Sequence, residues 1–140
     1  MSEKHILIVG TGSVGMRHGR NLTNLGARVS GMDPSSERLA TFMDEFHTLA
    51  YETLDDALAE GGFHGVAVCS PTRFHVEQCV PALEAGLPVL LEKPVSKTLA
   101  EAENLAAAMK RTGTSLLLGY TWRWWPPLLR VRELLAQKPV

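Results

Sequence analysis

A short apolar segment at residues 6–9 leads directly into a glycine pattern and then into an amphipathic helix; the pattern reads Gly10-Thr11-Gly12-Ser13-Val14-Gly15. Gly10 suits a tight turn, Gly12 lets the backbone approach a ligand without a Cβ in the way, and Gly15 lets the helix pack closely on its strand. The exposed amides at the helix start would face a bound anion. Because strand, pattern and helix are in register, residues 10–15 are predicted to bind the diphosphate of a dinucleotide rather than to form a purely structural turn.

An acidic residue follows the second predicted strand, at residues 28–32. Asp33 lies at about the spacing expected of the carboxylate that binds both hydroxyls of an adenosine ribose. Such a carboxylate repels a 2′-phosphate, so the sequence favours NAD over NADP. Ser35, Ser36 and Arg38 lie nearby and could hold a phosphate, which keeps NADP as an alternative.

Predicted strands and helices alternate along the whole chain, which is the pattern of a parallel sheet with helices on both faces. The sequence therefore predicts an α/β, doubly wound Rossmann fold of about six strands, at residues 6–9, 28–32, 48–51, 66–69, 88–91 and 115–118. Helices are predicted at residues 13–25, 34–46, 53–60, 75–85 and 98–111, with a final amphipathic segment at 128–135. Pro81 should kink the fourth helix, and Thr98 with Glu101 predicts a capping box at the start of the fifth.

Composition limits the class of ligand. The chain has 140 residues, 45% of them hydrophobic, and a formal net charge of −1. It can bury the core of one domain but offers no basic field for nucleic acid, so a small molecule is the expected partner. Residues 1–5 are polar, and the apolar run after them is too short for a signal peptide or a membrane span, which predicts a cytoplasmic protein without a membrane partner. Cys69 and Cys79 lack redox or zinc spacing and are predicted to be packing thiols, with no metal site.

Polar or unusual residues follow the predicted strands directly, where a doubly wound sheet binds its ligands. Besides residues 10–15 and Asp33, these are Ser70, Pro71 and Thr72, then Glu92, Lys93 and Pro94, and residues 119–123. Lys93 could direct a cation at a substrate oxygen. The alternative, a surface lysine paired with Glu92, is weakened because neighbours on a strand face opposite sides. His75 could contact the cofactor or substrate, or be structural, and His18 is assigned no chemistry.

Four aromatic residues crowd near the end of the chain, namely Tyr120, Trp122, Trp124 and Trp125. A hydrophobic plug, a stacking surface for nicotinamide and a partner interface all fit this composition. If such a patch is exposed, it favours self-association into a homo-oligomer, or a covering domain.

The whole pattern resembles the N-terminal domain of the glucose-fructose oxidoreductase, inositol dehydrogenase and MocA-type (Gfo/Idh/MocA) family. Four segments carry the resemblance: Gly10-x-Gly12-x-x-Gly15-x-x-His18, Ser70-Pro71-x-x-x-His75, Ala85-Gly86-x-Pro88-Val89-Leu90-Leu91-Glu92-Lys93-Pro94, and Gly119-Tyr120-x-x-Arg123-Trp124-x-Pro126. The resemblance implies an NAD(P)-dependent oxidoreductase that transfers a hydride between nicotinamide and a hydroxyl or keto carbon of a sugar, cyclitol or similar small molecule.

The resemblance also implies roles for single residues. Lys93 would be the catalytic lysine, Pro71 and Thr72 would line the nicotinamide pocket, and Glu92 would approach the nicotinamide or its ribose. Arg123 would help to bind the cofactor. Trp122 and Trp125 depart from the family, in which a basic and an acidic residue are common at these positions.

Members of the family continue into a second domain that binds substrate. The resemblance therefore divides this chain into an NAD(P)-binding domain at residues 1–125 and, at residues 126–140, the start of a connection to a substrate domain that the chain lacks. The alternative function is a non-catalytic NAD(H)-binding module that acts as a sensor or a partner subunit.

Overall fold

The computed structural model describes residues 3–137, which form six strands and six α-helices. In chain order these are β1 (His5–Val9), α1 (Ser13–Asn24), β2 (Arg28–Met32), α2 (Ser36–Phe46), β3 (Ala50–Tyr51), α3 (Leu54–Glu60), β4 (Gly65–Val68), α4 (His75–Glu84), β5 (Val89–Leu91), α5 (Leu99–Thr112), β6 (Leu116–Leu118) and α6 (Pro126–Gln137). Short 3-10 helices at Thr72–Phe74 and Thr121–Trp124 precede α4 and α6. No described helix is both long and apolar enough to cross a lipid bilayer.

All strand pairs are parallel, and the sheet order is β3-β2-β1-β4-β5-β6. The chain moves outward from β1 through β2 to β3, then returns to the other side of β1 and moves outward through β4, β5 and β6. The predicted doubly wound fold is thereby confirmed. The order reverses between β1 and β4, so a crevice opens beyond the carboxyl ends of these two strands.

Strand register brings the predicted site segments to one edge. Val9 of β1 lies opposite both Met32 of β2 and Val68 of β4, and Val68 lies opposite Leu91 of β5. The residues that follow these strand ends therefore begin at the same level. This places the glycine turn between Asp33 on one side and the segment after β4 on the other.

The core has two layers because successive strand residues point to opposite faces. Leu7 and Val9 pack with residues of β4, α4 and α5, whereas Ile8 between them packs with Met16, Val29 and Phe42 on the other face. Phe42 is fully buried. Burial of a side chain of that size stabilises the fold by about 1.5–3 kcal/mol.

Helix ends follow the local chemistry that predicts them. The side chain of Ser35 accepts a hydrogen bond from the Arg38 amide, so Ser35 is the N-cap of α2. The helix therefore begins at Ser36, two residues after its predicted start. The capping box of Thr98 and Glu101 is present at the start of α5. Strand β3 lies at the sheet edge, pairs only with β2, and is shorter than the predicted strand at residues 48–51. Thr48 lies outside the strand, with its hydroxyl 3.3 Å from the hydroxyl of Ser30. Pro81 lies inside α4, and its kink stays a prediction.

Candidate functional site

A cleft of about 940 Å³ opens at the carboxyl ends of β1, β2 and β4. Ligand pockets of small molecules and cofactors commonly reach this size. Four groups of residues line the cleft: Gly10, Gly12, Ser13 and Val14; Met32, Asp33, Pro34 and Arg38; Glu52, Thr53, Leu54 and Asp55; and Cys69, Ser70, Pro71, Arg73, Phe74, Glu77, Gln78 and Pro81. The cleft therefore brings together three of the segments that the sequence predicts to act together.

Two of the three glycines of the turn are required by the fold itself. Gly10 has a φ of +90°, and a Cβ at this position would lie 2.7 Å from the backbone nitrogen of Ser70. A Cβ on Gly15 would lie 2.0 Å from the carbonyl oxygen of Gly10. The turn, the first helix and the segment after β4 are thus packed backbone against backbone.

Gly12 has no such structural reason to be glycine. Its φ of −67° and ψ of −171° are open to any residue, and an added Cβ would meet no atom within 4 Å. Gly12 is the N-cap of α1 and lines the cleft, so a side chain here would project into the space in front of the helix. Without a side chain at position 12, a ligand can approach the first amides of α1.

The start of α1 suits an anion. No side chain caps it, and its first turn contains no acidic residue. The unpaired amides and the positive end of the helix dipole therefore face the cleft without competition. Together with the open space at Gly12, this arrangement fits the diphosphate of a dinucleotide.

Asp33 is 2% exposed and lies at the far side of the glycine turn. Its Oδ2 accepts a hydrogen bond from the Thr11 amide at 3.0 Å, and its Oδ1 accepts one from the Ser35 amide at 3.0 Å. A carboxylate offers about four acceptor positions, so two stay open for the hydroxyls of a ribose. Nη1 of Arg38 lies 3.6 Å from Oδ2 and is the nearest cation.

Thr11 itself does not line the cleft. Its side chain is buried, its amide is taken by Asp33, and its methyl group packs against Gly31. Its hydroxyl has no partner among the described residues. The structure shows Thr11 holding Asp33 through its amide, and the direct cofactor contact of Thr11 stays a prediction.

The segment after β4 divides into cleft residues and a buried anchor. Ser70 and Pro71 line the cleft, but Thr72 does not. His75 is 1% exposed, and its Nδ1 and Nε2 lie 2.8 Å and 2.9 Å from the carbonyl oxygens of Pro94 and Ser70. Because each ring nitrogen has a carbonyl oxygen at hydrogen-bond distance, the geometry favours the structural alternative for His75: it joins the turn after β4 to the turn after β5.

Glu92 follows β5 and is held by groups that sequence reasoning missed. Its Oε1 lies 2.8 Å from Nε2 of His18 and 3.9 Å from Arg17, and its Oε2 accepts a 3.3 Å hydrogen bond from the Lys93 amide. Burial raises the pKa of Glu92, but the hydrogen bonds and charges of His18, Lys93 and Arg17 together outweigh burial and leave its pKa below the usual value. Glu92 is thus an ionised carboxylate in neutral solution.

Lys93 is exposed and forms no ion pair with any residue in the described range 3–137. Lys93 does not pair with Glu92, whose Oε1 is in contact with Nε2 of His18. The Lys93–Pro94 peptide bond is cis. Lys93 does not line the cleft. It lies two residues after the end of β5, where Leu91 is paired with Val68, the last residue of β4. Lys93 is therefore close to the cleft.

Arg123 is not brought to the cleft. The 3-10 helix Thr121–Trp124 lies over α5, and Arg123 lines a separate apolar groove of about 350 Å³ with Leu105 and Met109. The cofactor contact that the resemblance implied for Arg123 therefore has no support from its position. The aromatic residues beside it are exposed, with Trp122 and Trp124 both at 69%.

Other cleft residues were missed by the sequence analysis. Among them are Glu52 and Asp55, on either side of Thr53, and Arg73, Glu77 and Gln78 near the start of α4. The sequence indicated the last three only through their position, at or just before the start of a predicted helix that follows a strand at the ligand-binding edge of the sheet. Cys69 also lines the cleft, but burial and the nearby Glu92 raise its pKa to about 12, as burial does for Cys79, so both thiols stay protonated. Within residues 3–137, no three His, Cys, Asp or Glu side chains are grouped to hold a metal ion.

Residues 4–120 match the model of a family described as an oxidoreductase family with an NAD-binding Rossmann fold, Gfo/Idh/MocA. The chain is 40% identical over 96 residues to inositol 2-dehydrogenase of Leifsonia xyli, covering 66% of this chain and 28% of that protein. It is 31% identical over 136 residues to the rhizopine catabolism protein MocA of Rhizobium meliloti, covering 95% of this chain and 42% of that protein.

The fold is shared with a solved structure. Scyllo-inositol dehydrogenase from Lactobacillus casei, crystallised with NAD(H) and scyllo-inositol, matches with a TM-score of 0.89 at 23% identity, covering 97% of this chain and 42% of that one. The chain thus spans less than half the length of these relatives. The family match takes in the glycine turn, Asp33 and the Glu92-Lys93-Pro94 segment, and the chain belongs to the Gfo/Idh/MocA oxidoreductases as an NAD-binding Rossmann domain.

Proposed function

We propose that this chain binds NAD in the cleft and forms the cofactor-binding part of a dehydrogenase that acts on a hydroxyl or keto carbon of a polyol or sugar. The observation that carries the proposal is Gly12, where neither backbone conformation nor packing requires glycine while the uncapped start of α1 stands behind it. A ligand that needs bare backbone explains this position. The names of the relatives, inositol 2-dehydrogenases among them, support the class of substrate.

The groups that line the cleft support a specific orientation of the cofactor. Residues 12–14 would hold the diphosphate through their amides, and Asp33 would accept hydrogen bonds from the hydroxyls of the adenosine ribose. The nicotinamide end would then lie toward Ser70 and Pro71. Asp33 disfavours a 2′-phosphate, so NAD is the preferred cofactor. NADP would rely on Arg38, the exposed cation beside this carboxylate.

Bound NAD supplies the hydride acceptor or donor. The part of this chain in the chemistry is proton handling at the substrate oxygen. Nζ of Lys93, in its neutral amine form, would take the hydroxyl proton while the alcohol carbon is oxidised; as the resulting ammonium it would return that proton in the reverse direction. Lys93 suits this role because it is exposed beside the cleft and Glu92 is held by His18.

The same proposal covers the rest of the protein. Residues 126–140 would lead into a substrate-binding domain, and either that domain or a second copy of the chain in a homo-oligomer would cover the exposed aromatic residues. A cytoplasmic location is supported by Cys69 and Cys79 being free thiols, the usual state in a reducing compartment. Nucleic acid and membrane are not proposed as partners.

Calorimetric titration with NAD⁺, NADH and NADP⁺ tests the binding part. The expected result is binding of NAD⁺ and NADH, with weaker binding of NADP⁺. Absence of heat with all three would overturn the proposal. Turnover of added polyols, measured on the chain joined to its substrate-binding partner, then separates a dehydrogenase from a non-catalytic NAD(H)-binding module. Lys93→Met should keep the affinity for NAD⁺ and remove turnover; unchanged turnover would disprove the role of Lys93.

A further inference from the structure

The cleft contains a polar side chain that the proposed placement of the cofactor leaves unused. Gln78 lies on α4, three residues beyond His75, and lines the cleft together with Ser70 and Pro71. Its Oε1 accepts a hydrogen bond from the hydroxyl of Ser70. A glutamine amide also carries two N–H donors. Within residues 3–137, Nε2 of Gln78 has no hydrogen-bond partner, and it is not among the polar atoms sealed from solvent.

The position of Ser70 fixes where these donors lie. Ser70 packs directly on the glycine turn, since a Cβ on Gly10 would lie 2.7 Å from its backbone nitrogen. Gln78 is bonded to Ser70 and is therefore one side chain away from that turn. Gln78 lines the same cleft as Gly10 and Gly12, and it does so from α4 and not from the Asp33 segment.

The hydrogen bond to Ser70 also orders the side chain before any ligand arrives. A long side chain that is free in solution loses rotamer entropy when it binds. Here the Oε1 end is already held, so less of that loss remains at the moment of binding. A donor that is oriented, half-buried and unpaired is suited to recognise an acceptor oxygen.

We propose that Gln78 is a cofactor-binding residue that donates a hydrogen bond from Nε2 to an acceptor oxygen in the central part of the dinucleotide. The acceptor belongs either to the nicotinamide-side phosphate of the diphosphate or to the ribose next to it, because the nicotinamide end is proposed to lie toward Ser70, the partner of Gln78. The inference rests on the proposed function, because Gln78 meets this oxygen only if the cleft holds NAD.

The experiment is a set of calorimetric titrations of the full chain and of Gln78→Glu with NAD⁺, ADP-ribose, ADP and AMP. Glutamate keeps an acceptor for the Ser70 hydroxyl but removes both amide donors and adds a negative charge. The affinity for NAD⁺ and ADP-ribose should fall roughly 10- to 100-fold, the range of one hydrogen bond to a charged or polar oxygen. AMP, which lacks the phosphate and the ribose of the nicotinamide side, should bind both proteins with affinities within about twofold of each other.

ADP separates the two acceptors. A parallel loss with ADP assigns the bond to the diphosphate, and unchanged ADP binding assigns it to the ribose. Gln78→Met, which has similar shape and no donor, serves as a second variant and should lose affinity for the same ligands. Ser70→Ala leaves the amide but releases it, so it should give a smaller loss.

Equal affinity of wild type and both Gln78 variants for NAD⁺ would overturn the role of Gln78 while leaving the proposed function intact. An equal loss for AMP would also overturn it, because the effect would then not be local to the phosphate and the ribose of the nicotinamide side. If the wild-type chain binds none of the four ligands, the proposed function itself fails.

Discussion

Nε2 of His18 lies 2.8 Å from Oε1 of Glu92, so the first helix is fastened to the end of the fifth strand, 74 residues away. Both side chains are largely buried, at 17% and 12% exposure. This contact orients the carboxylate next to the proposed catalytic lysine and keeps it ionised.

His18→Ala should therefore lower the free energy of unfolding at pH 7 by about 2 kcal/mol, the range of a hydrogen bond to a charged group. The pKa of Glu92 is lowered from 4.5 in the folded chain. Its contribution to stability is thus present above 4.5 and lost as the pH falls through the lowered folded value. In urea unfolding experiments, the difference in free energy of unfolding between wild type and His18→Ala should be complete at pH 7 and smaller below pH 4.5.

The matched control is Arg17→Ala. Arg17 lies 3.9 Å from the same oxygen but is 63% exposed, so its loss should change stability by less than about 1 kcal/mol. Equal effects of the two substitutions would show that the His18–Glu92 contact stabilises the fold no more than the Arg17–Glu92 contact does.

Gly12→Val separates folding from binding. The backbone at Gly12 accepts a side chain and no atom lies within 4 Å of its added Cβ, so stability should stay within about 1 kcal/mol of the wild type. NAD⁺ affinity should fall more than about 100-fold, because the side chain fills the space before the α1 amides. Thermal unfolding and calorimetric titration measure the two quantities.

Gly15→Ala provides the contrast, since its Cβ would lie 2.0 Å from the Gly10 carbonyl oxygen. It should destabilise the fold strongly. A Gly12→Val chain that folds and binds NAD⁺ as the wild type does would refute the placement of the diphosphate.

Asp33→Asn should alter both stability and cofactor preference. An asparagine can accept one amide hydrogen where the carboxylate accepts two, from Thr11 and Ser35, so the other amide loses its partner. The expected cost is about 1–3 kcal/mol. The ratio of NADP⁺ to NAD⁺ affinity, measured by calorimetry, should rise because the negative charge that repels a 2′-phosphate is gone.

Asp44→Asn, an exposed carboxylate on α2, is the control for loss of one negative charge. It should leave the cofactor ratio unchanged. An unaltered ratio in Asp33→Asn would place the adenosine ribose away from Asp33.

His5 should make the fold sensitive to mild acid. Burial lowers the pKa of His5 from 6.5, and the charges of Arg28 and His64 lower it further. Nδ1 lies 2.9 Å from an Arg28 nitrogen and Nε2 lies 2.9 Å from the Ser30 hydroxyl, which fits a neutral ring. Since the unfolded chain binds the proton more readily, the free energy of unfolding should decrease as the pH falls from 6.5 toward the lowered folded value.

His5→Gln keeps an acceptor and a donor but does not titrate, so its urea midpoint should change less between about pH 7.5 and about pH 5.5. His47→Asn, at an exposed position with a φ of 49°, should retain the wild-type slope. A wild-type slope in His5→Gln would assign the acid sensitivity to another group.

Features set by neighbours in the sequence were predictable. The alternation of Leu7, Ile8 and Val9 between two core layers follows from strand geometry, and the Thr98–Glu101 box marks the start of α5 through contacts three residues apart. The parallel sheet followed from the alternation of strands and helices along the chain. These features depend on local geometry, which one sequence carries.

Contacts across the fold were not predictable in the same way. The bond from His18 to Glu92 and the two carbonyl partners of His75 depend on how far apart the helices lie from the strand ends, which no spacing encodes. For Arg123 the cofactor contact was implied by the resemblance; the residue lies in the groove along α5, and the contact stays a prediction. For Thr11 the glycine pattern predicted a cofactor contact, which also stays a prediction, and no spacing indicated that its amide donates to Asp33.

The three tryptophans of the chain all fall within residues 122–125, and each is more than half exposed. Intrinsic tryptophan fluorescence of this protein therefore reports on a single short segment and is silent about the sheet and the glycine turn. A blue shift of the emission would signal that a covering surface has arrived there, whether from another domain or from another copy. The tryptophan emission is thus an optical probe for any surface that comes to cover residues 122–125.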